Sequence, residues 1–233
     1  LKADLITNVS HDIKTPLTSI INFVNLLKRE QIDNERAKGY IQVLDAKSQR
    51  LKQLTDDLVE ASKITSGNIS LQMERLVVKQ TCGEFDDKLK EKCLEMIVSL
   101  PPEPVYIEAD PRRIWRVVEN LFSNVCKYAL EGTRVYLEIR RVRQDDREIA
   151  VFTMKNISAQ ALNIRAEELT ERFIRGDISR STEGSGLGLS IAQNLTTLQK
   201  GTFEIYLDGD LFKVQIGFSC LDVPQPEIEI QMR

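Results

Sequence analysis

Ser10-His11-Asp12-Ile13-Lys14-Thr15-Pro16-Leu17 is the stretch that decides how this chain is read. His11 is the only histidine in 233 residues, so chemistry that needs an imidazole can take place only there. Around it Ile6, Val9, Ile13, Leu17, Ile20, Val24 and Leu27 recur at steps of three and four, the stripe of an amphipathic helix. At about 100° per residue His11 lies about 160° from both Val9 and Ile13, and is expected to point away from that stripe. Thr15 shares its face at i+4. Asp12 is the adjacent acid, and Pro16 withdraws the hydrogen bond to the Asp12 carbonyl, at a cost of about 3 kcal/mol and with an expected kink one turn beyond His11. Exposure, a neighbouring carboxylate and room for a reagent are what a nucleophilic imidazole requires. A surface histidine on a coiled-coil-like helix is the competing reading.

Composition narrows the classes. Length admits one or two domains, and an apolar fraction of 42% supports a core. The net charge of −3, with no basic run interleaved with aromatics, argues against nucleic acid. Cys82, Cys93, Cys126 and Cys220 show no C-x-x-C spacing, so they read as small core residues in a reduced, cytoplasmic environment. No apolar run is long enough to span a bilayer, and no signal peptide is visible. The chain starts without methionine and enters a helix at once, so a fragment of a longer protein is expected, with any membrane anchor upstream.

Outward from His11, the first helix is expected over residues 1–29 and a turn over 31–36, where Asp33 and Asn34 are both good caps. A second helix carries Ile41, Leu44, Ser48, Leu51, Leu54 or Thr55, and Leu58 on one stripe and ends near Ile64. Two such helices cannot bury their stripes alone, which predicts a homodimer built as a four-helix bundle. Thr65, Ser66, Gly67 and Asn68 break the period. The expected domains are therefore a hairpin over 1–65, a hinge over 66–70, an α/β sandwich over 71–221 and a tail over 222–233. Within the sandwich the pattern predicts a strand over 69–78, a helix over 79–95, and strands over 95–100 and 105–109. A helix starts at Asp110-Pro111 and runs to about Leu130. A hairpin over 135–143 and 149–156 follows, then helices over 166–173 and 188–198. Strands over 202–207 and 211–218 close over Asp208-Gly209.

Two constellations on this second part carry chemistry. In the helix after Pro111, the apolar positions Ile114, Val117, Val118, Leu121, Phe122 and Val125 are flanked by Asn120, Asn124 and Lys127 at i, i+4 and i+7. Asparagines are poor helix formers, and amide oxygens suit a hard cation such as Mg²⁺ that shares phosphates. Lys127 offers charge to phosphate, and Tyr128 a flat surface to a base; a solvated helix face is the alternative. The second is Gly184-Ser185-Gly186-Leu187-Gly188-Leu189-Ser190, which opens a helix whose free N–H groups attract phosphate. Arg172, Arg175, Ser179, Arg180, Ser181 and Thr182 precede it, a polar basic segment able to close as a lid.

With these elements in this order the chain resembles a bacterial sensor histidine kinase of two-component signalling, from Leu5 to about Phe218. Residues 10–17 resemble that family's phosphoacceptor box. Asn120-Leu121-x-x-Asn124-x-x-Lys127-Tyr128 is similar to its N box, Glu171-Arg172-Phe173-x-Arg175-Gly176-Asp177 to its F box, and Gly184 to Leu189 to its second glycine box. The family's Asp-x-Gly-x-Gly adenine box is missing after the first strand hairpin, where Lys155-Asn156-Ile157-Ser158-Ala159-Gln160 stands. Asn156 is nearest the missing aspartate, and its amide oxygen can accept the same hydrogen bond.

The resemblance implies a helical dimerisation and phosphotransfer hairpin followed by an ATP-binding α/β sandwich of the GHKL (Bergerat) type. It implies autophosphorylation of His11 by ATP and Mg²⁺, with Asp12 beside the ring, then transfer to an aspartate of a response-regulator receiver domain. Thr15 resembles the residue that orients water for dephosphorylating that partner. ATP is expected to be held by Asn120, Asn124, Lys127, Tyr128, Asn156, Arg175, Arg180, Gly184, Gly186, Leu187, Gly188 and Leu189, and Mg²⁺ by Asn124 with Asn120 nearby. The expected place is the cytoplasmic side of a membrane-anchored bacterial sensor. The rival reading is a phosphatase-only or non-catalytic signalling module whose altered adenine box impairs ATP binding. An ATPase of the gyrase and chaperone type is a further alternative, but it would normally carry a catalytic glutamate where Arg116 stands, and it leaves the His11 stretch unexplained.

Overall fold

The structure is a computed structural model. It describes residues 2–67, 69–77, 86–144, 147–170 and 186–221, with the side chains of residues 2–12 and of Asp86 outside that description. The chain divides into two compact units, Leu1–Ser70 with Thr170–Ile191, and Leu71–Leu169 with Ala192–Arg233.

The first unit is built on an antiparallel pair of helices, α1 (Lys2–Arg29) and α2 (Glu35–Thr65). α1 continues through Pro16. Asn34, in extended backbone, caps α2 by accepting the N–H groups of Arg36 and Ala37 at 3.0 and 3.2 Å. At the far end Gly67, with φ of +71°, donates to the Ile64 carbonyl and closes the helix in a conformation that suits glycine. Ion pairs Lys28–Asp45 (2.7 Å) and Lys14–Asp56 (2.5 Å) mark the antiparallel register.

The expected single stripes divide in two. Leu17 and Val24 on α1, and Ile41, Ser48, Thr55 and Ser62 on α2, are buried at steps of seven. Ser48 and Thr55 donate to Asp45 and Leu51 carbonyls of their own helix, so the hydroxyls are buried with a partner. Ile13, Ile20 and Leu27 from the predicted α1 stripe, and Leu44 and Leu51 from that of α2, are exposed instead, together with Phe23, Leu26, Tyr40 and Val43.

The second unit holds a five-stranded sheet in the order β2-β4-β5-β7-β6, with β2 (Glu95–Ser99) parallel to β4 (Arg134–Gln144) and every other pair antiparallel. β5 (Arg147–Ile157) pairs with β4 and with β7 (Leu211–Ser219), and β6 (Thr202–Asp208) lies at the edge. Alternation buries Val135, Leu137 and Ile139 of β4 and Phe212, Val214 and Ile216 of β7. α4 (Pro111–Tyr128) buries Val117, Val118, Leu121, Phe122 and Val125, each fully buried side chain contributing about 1.5–3 kcal/mol. Trp115, the only tryptophan, is half-buried on the same helix. α5 (Gly188–Leu198) begins in the first unit and ends in the second, where Ala192 and Leu195 are completely buried.

Four further sequence expectations change. The strand expected over 69–78 is, among the described residues, only β1 (Glu74–Val77), matched to the four residues of β3 (Tyr106–Ala109). Before it, the Gln72 N–H is taken by the Asp110 side chain rather than by a strand. The helix expected over 79–95 is α3 (Asp86–Glu91) among the described residues. It stops because Cys93 turns to φ of +53°, Leu94 donates back to the Leu89 carbonyl, and Glu95 donates to Thr133 to begin β2. Of the helix expected over 166–173, the described part is one short 3-10 turn, Glu167–Thr170. The cysteines are not core residues either: Cys93 is exposed and Cys126 and Cys220 are half-buried, while Cys82 lies outside the described residues.

Candidate functional site

α4 starts at a strong signal, Asp110 as cap with Pro111 in the first turn, and this sets the rotation of everything downstream on the helix. With the apolar set turned inward, Asn120 falls at the edge of the buried face and is 8% exposed. Asn124 and Tyr128 are half-buried, and Lys127 is exposed. A solvated face therefore does not describe Asn120. Its Nδ2 is buried with no hydrogen-bond partner. Such a donor costs about 1–3 kcal/mol when left unmatched.

Asn156 stands near the end of β5, opposite Phe212 of β7, and is 3% exposed. Its Nδ2 donates to the Ile157 carbonyl at 3.2 Å, while its Oδ1 is buried without a partner. The atom of this side chain left without a partner is thus an acceptor. The chain after it crosses to the end of α4: Leu130 donates to the Ile157 carbonyl and Ala159 to the Tyr128 carbonyl, both at 2.8 Å, around an Ala129–Ser158 bridge. Ser158 donates in turn to the Asp210 carbonyl at 2.7 Å. Among the described non-glycine residues only Cys93 and Lys200 have positive φ, so residues 156–160 need no glycine to follow this path.

The glycine-rich stretch is described from Gly186 onward. Gly186 has φ of +70°, a conformation that favours glycine. Leu187 is 2% exposed, and its carbonyl accepts both the Ile191 N–H (2.8 Å) and the Ser190 hydroxyl (2.9 Å), which starts α5 at Gly188. Leu189 is half-buried. Arg175, Arg180 and Gly184 lie outside the described residues. His11 and Asp12 are on α1 with their side chains outside the description, and Thr15, one turn on, is exposed.

Electrostatics around α4 is basic. Burial pushes the Cys126 thiol up, against the opposing charges of Lys88, Lys92 and Lys127. Among the described residues no group of three His, Cys, Asp or Glu side chains could hold a metal ion. The donor set on α4 is amide, the kind that serves Mg²⁺ only with phosphate oxygens completing its shell. Sequence reasoning took Asp110 for a cap alone and missed that its second oxygen holds Gln72; no local signal marks Gln72.

Two family descriptions match the chain. The His Kinase A (phospho-acceptor) domain matches residues 1–67, and the histidine kinase-, DNA gyrase B-, and HSP90-like ATPase matches residues 109–219. Sensor protein VanSC of Enterococcus gallinarum is 34% identical over 86% of this chain and 56% of its own length. Sensor histidine kinase WalK of Bacillus subtilis is 28% identical over 86% of this chain and 33% of its own. Autoinducer 2 sensor kinase/phosphatase LuxQ of Vibrio vulnificus is 26% identical over 99% of this chain and 27% of its own. The chain thus spans about a quarter to just over half of these relatives. Among solved structures, full-length ShkA in complex with AMPPNP shares the fold with a TM-score of 0.78, at 21% identity over 95% of this chain and 47% of that one. Acinetobacter baumannii histidine kinase AdeS does so at 0.62, with 20% identity over 91% of this chain and 98% of that one. No helix among the described residues is long and apolar enough to cross a membrane. Phosphoacceptor hairpin first, ATPase domain second, and sensor kinases among the relatives: the chain belongs to the sensor histidine kinases.

Proposed function

We propose that this chain phosphorylates His11 from ATP and passes the phosphoryl group to an aspartate of a response-regulator receiver domain. One observation carries the reading: the sole histidine lies within the phosphoacceptor match, on the same chain as an ATPase match that holds two buried amides with unpartnered polar atoms. A nucleotide fits those atoms. Asn156 Oδ1 accepts an exocyclic amino group of the base, Asn120 and Asn124 face the phosphate side, and Lys127 and the N–H groups from Gly186 to Leu189 meet phosphate charge. Arg175, Arg180 and Gly184 belong to the same proposed set. Asn124, with Asn120 nearby, would hold Mg²⁺, which would supply neutralising charge to the phosphates.

At His11 the neutral imidazole attacks the γ-phosphorus in line. The nitrogen–phosphorus bond forms as the bond to the bridging oxygen breaks, ADP leaves with the electron pair, and Asp12 orients the ring and steadies its developing charge. Such a transfer rests on positioning and electrostatics more than on a strong base. The hinge at 66–70 and Pro16 are where the required rearrangement is placed.

Thr15 is the residue proposed to orient water for a second, phosphatase activity on the partner, as the kinase/phosphatase name of one relative suggests. The proposed working form is a homodimer through the uncovered apolar face of the hairpin, in a cytoplasmic portion anchored by a preceding segment.

The deciding experiment incubates wild type and His11→Gln with γ-labelled ATP and Mg²⁺ and scores label that survives base and is lost in acid. The expected result is acid-labile label that vanishes in the variant. A folded wild type that takes up no label moves the weight to the phosphatase-only or scaffold reading. Thr15→Ala is expected to slow partner dephosphorylation while His11 labelling persists; an unchanged dephosphorylation rate removes Thr15 from the mechanism.

A further inference from the structure

Asp110 does more than begin a helix. Its Oδ1 accepts the N–H groups of Arg112 and Arg113 at 3.0 and 3.2 Å, which is the cap. Its Oδ2 accepts the N–H of Gln72 at 2.9 Å. Its own N–H donates to Gln199 Oε1 at 2.7 Å, and Gln199 Nε2 donates to the Leu195 carbonyl at 2.8 Å. Asp110 is 4% exposed and Gln199 3%. One buried residue therefore joins three segments distant in sequence: its carboxylate holds the chain entering the second unit and the first turn of α4, and its backbone N–H holds Gln199, the residue that follows α5.

A cap needs one oxygen, and a serine supplies it. The second oxygen serves a different purpose, because Gln72 lies ahead of β1, in backbone that belongs to no strand. On the other side, α2 is closed by the Gly67 turn. The stretch between Gly67 and Gln72 is thus bounded at one end by a helix terminus and at the other by this hydrogen bond.

We propose that Asp110 is a positioning residue that fixes the length of free chain between the phosphoacceptor hairpin and the helix bearing Asn120, Asn124 and Lys127. This inference rests on the phosphotransfer reading. A tethered donor and acceptor react at an effective concentration set by the linker, which falls roughly as the −3/2 power of its length. Releasing Gln72 lengthens the free stretch and frees its direction of exit. It slows transfer to His11 without touching nucleotide binding.

Two substitutions reach the tether from opposite sides. Asp110→Ser keeps a capping oxygen and the N–H to Gln199 but loses the second acceptor, and Gln72→Pro removes the donor while leaving the carboxylate. In the full chain, three quantities are read: amide hydrogen exchange of residues 69–74, affinity for a fluorescent ATP analogue, and the rate of His11 labelling at saturating ATP. Each variant is expected to exchange faster over 69–74, to bind the analogue as wild type does within about 1.2-fold, and to label about 1.5-fold to twofold more slowly. The double variant is expected to match the singles, since both cut the same bond. Unchanged exchange, or faster exchange with an unchanged labelling rate, overturns the proposal. So does loss of analogue affinity in step with rate, which makes Asp110 only a structural cap. If wild type itself takes no label, the phosphotransfer reading fails and the positioning role falls with it, while the exchange data still decide whether Asp110 holds Gln72.

Discussion

Leu130 donates its backbone N–H to the carbonyl of Ile157 at 2.8 Å. This bond holds the end of β5 at the end of α4, and so keeps Asn156 in the neighbourhood of Tyr128. The clasp uses only backbone atoms, which is why a stretch without glycine or aspartate can make it.

Asn156→Ala separates binding from folding. The Oδ1 atom has no partner in the chain, so the only hydrogen bond forfeited is the local one from Nδ2 to Ile157. Thermal stability is expected to change little, while ATP affinity falls about fivefold to tenfold, the worth of one hydrogen bond of about 1–1.4 kcal/mol. Isothermal titration beside a thermal melt checks this. A variant that melts early and binds normally contradicts the assignment.

The hairpin leaves Phe23 66% and Tyr40 69% exposed in a single chain, beside Leu44 and Leu51. Large apolar side chains exposed in this number on two paired helices are what an interface would cover. Phe23→Glu combined with Leu44→Glu is expected to halve the mass measured by light scattering at micromolar concentration. Wild type that already scatters as one chain defeats the dimer.

Gly201 follows the end of α5, where an added Cβ stands 2.7 Å from the Phe218 ring and 2.8 Å from Thr196 Cγ2. Both neighbours belong to packed elements, so they give way poorly. Gly201→Ala is expected to cost about 1–3 kcal/mol in chemical denaturation. A stability equal to wild type shows that the β7 ring can move aside.

For Asp110, burial raises the carboxyl pKa, but the N–H groups of Gln72, Arg113 and Arg112 and the charge of Arg113 outweigh it, leaving it lowered. A group depressed in the folded state contributes stability that is present above its unfolded value of about 3.9 and is lost as pH falls through its folded value. The second unit is therefore expected to lose stability on acidification below about pH 4, and Asp110→Asn to flatten that part of the profile. Parallel profiles for the two proteins exclude Asp110 as the source.

Local signals made much of this legible. Asn34 as a cap, Asp110-Pro111 as a helix start, the span of α5 and the β6–β7 turn at Asp208-Gly209 all follow from residues within one turn of each other, and Gly209 indeed has φ of +57°. What escaped was decided at a distance. β1 begins only at Glu74, opposite the last residue of β3, and the Gln72 amide ahead of it goes to a side chain 38 residues away. The helical stripes divide because spacing shows which residues are apolar, not which heptad position the facing helix covers. Asn120 and Asn156 read as polar, and only the packing of α4 and the register of β5 on β7 reveal that both are buried.

Trp115 gives the molecule a built-in optical reporter. It is the only tryptophan, and it sits on α4 between Asp110 and Asn120. Its emission registers the second unit alone, whereas far-ultraviolet dichroism is dominated by the two long helices of the first. Melts followed by the two signals therefore watch different halves of the chain. Coincident midpoints mean that the halves unfold as one cooperative body, and separated midpoints that each half melts on its own.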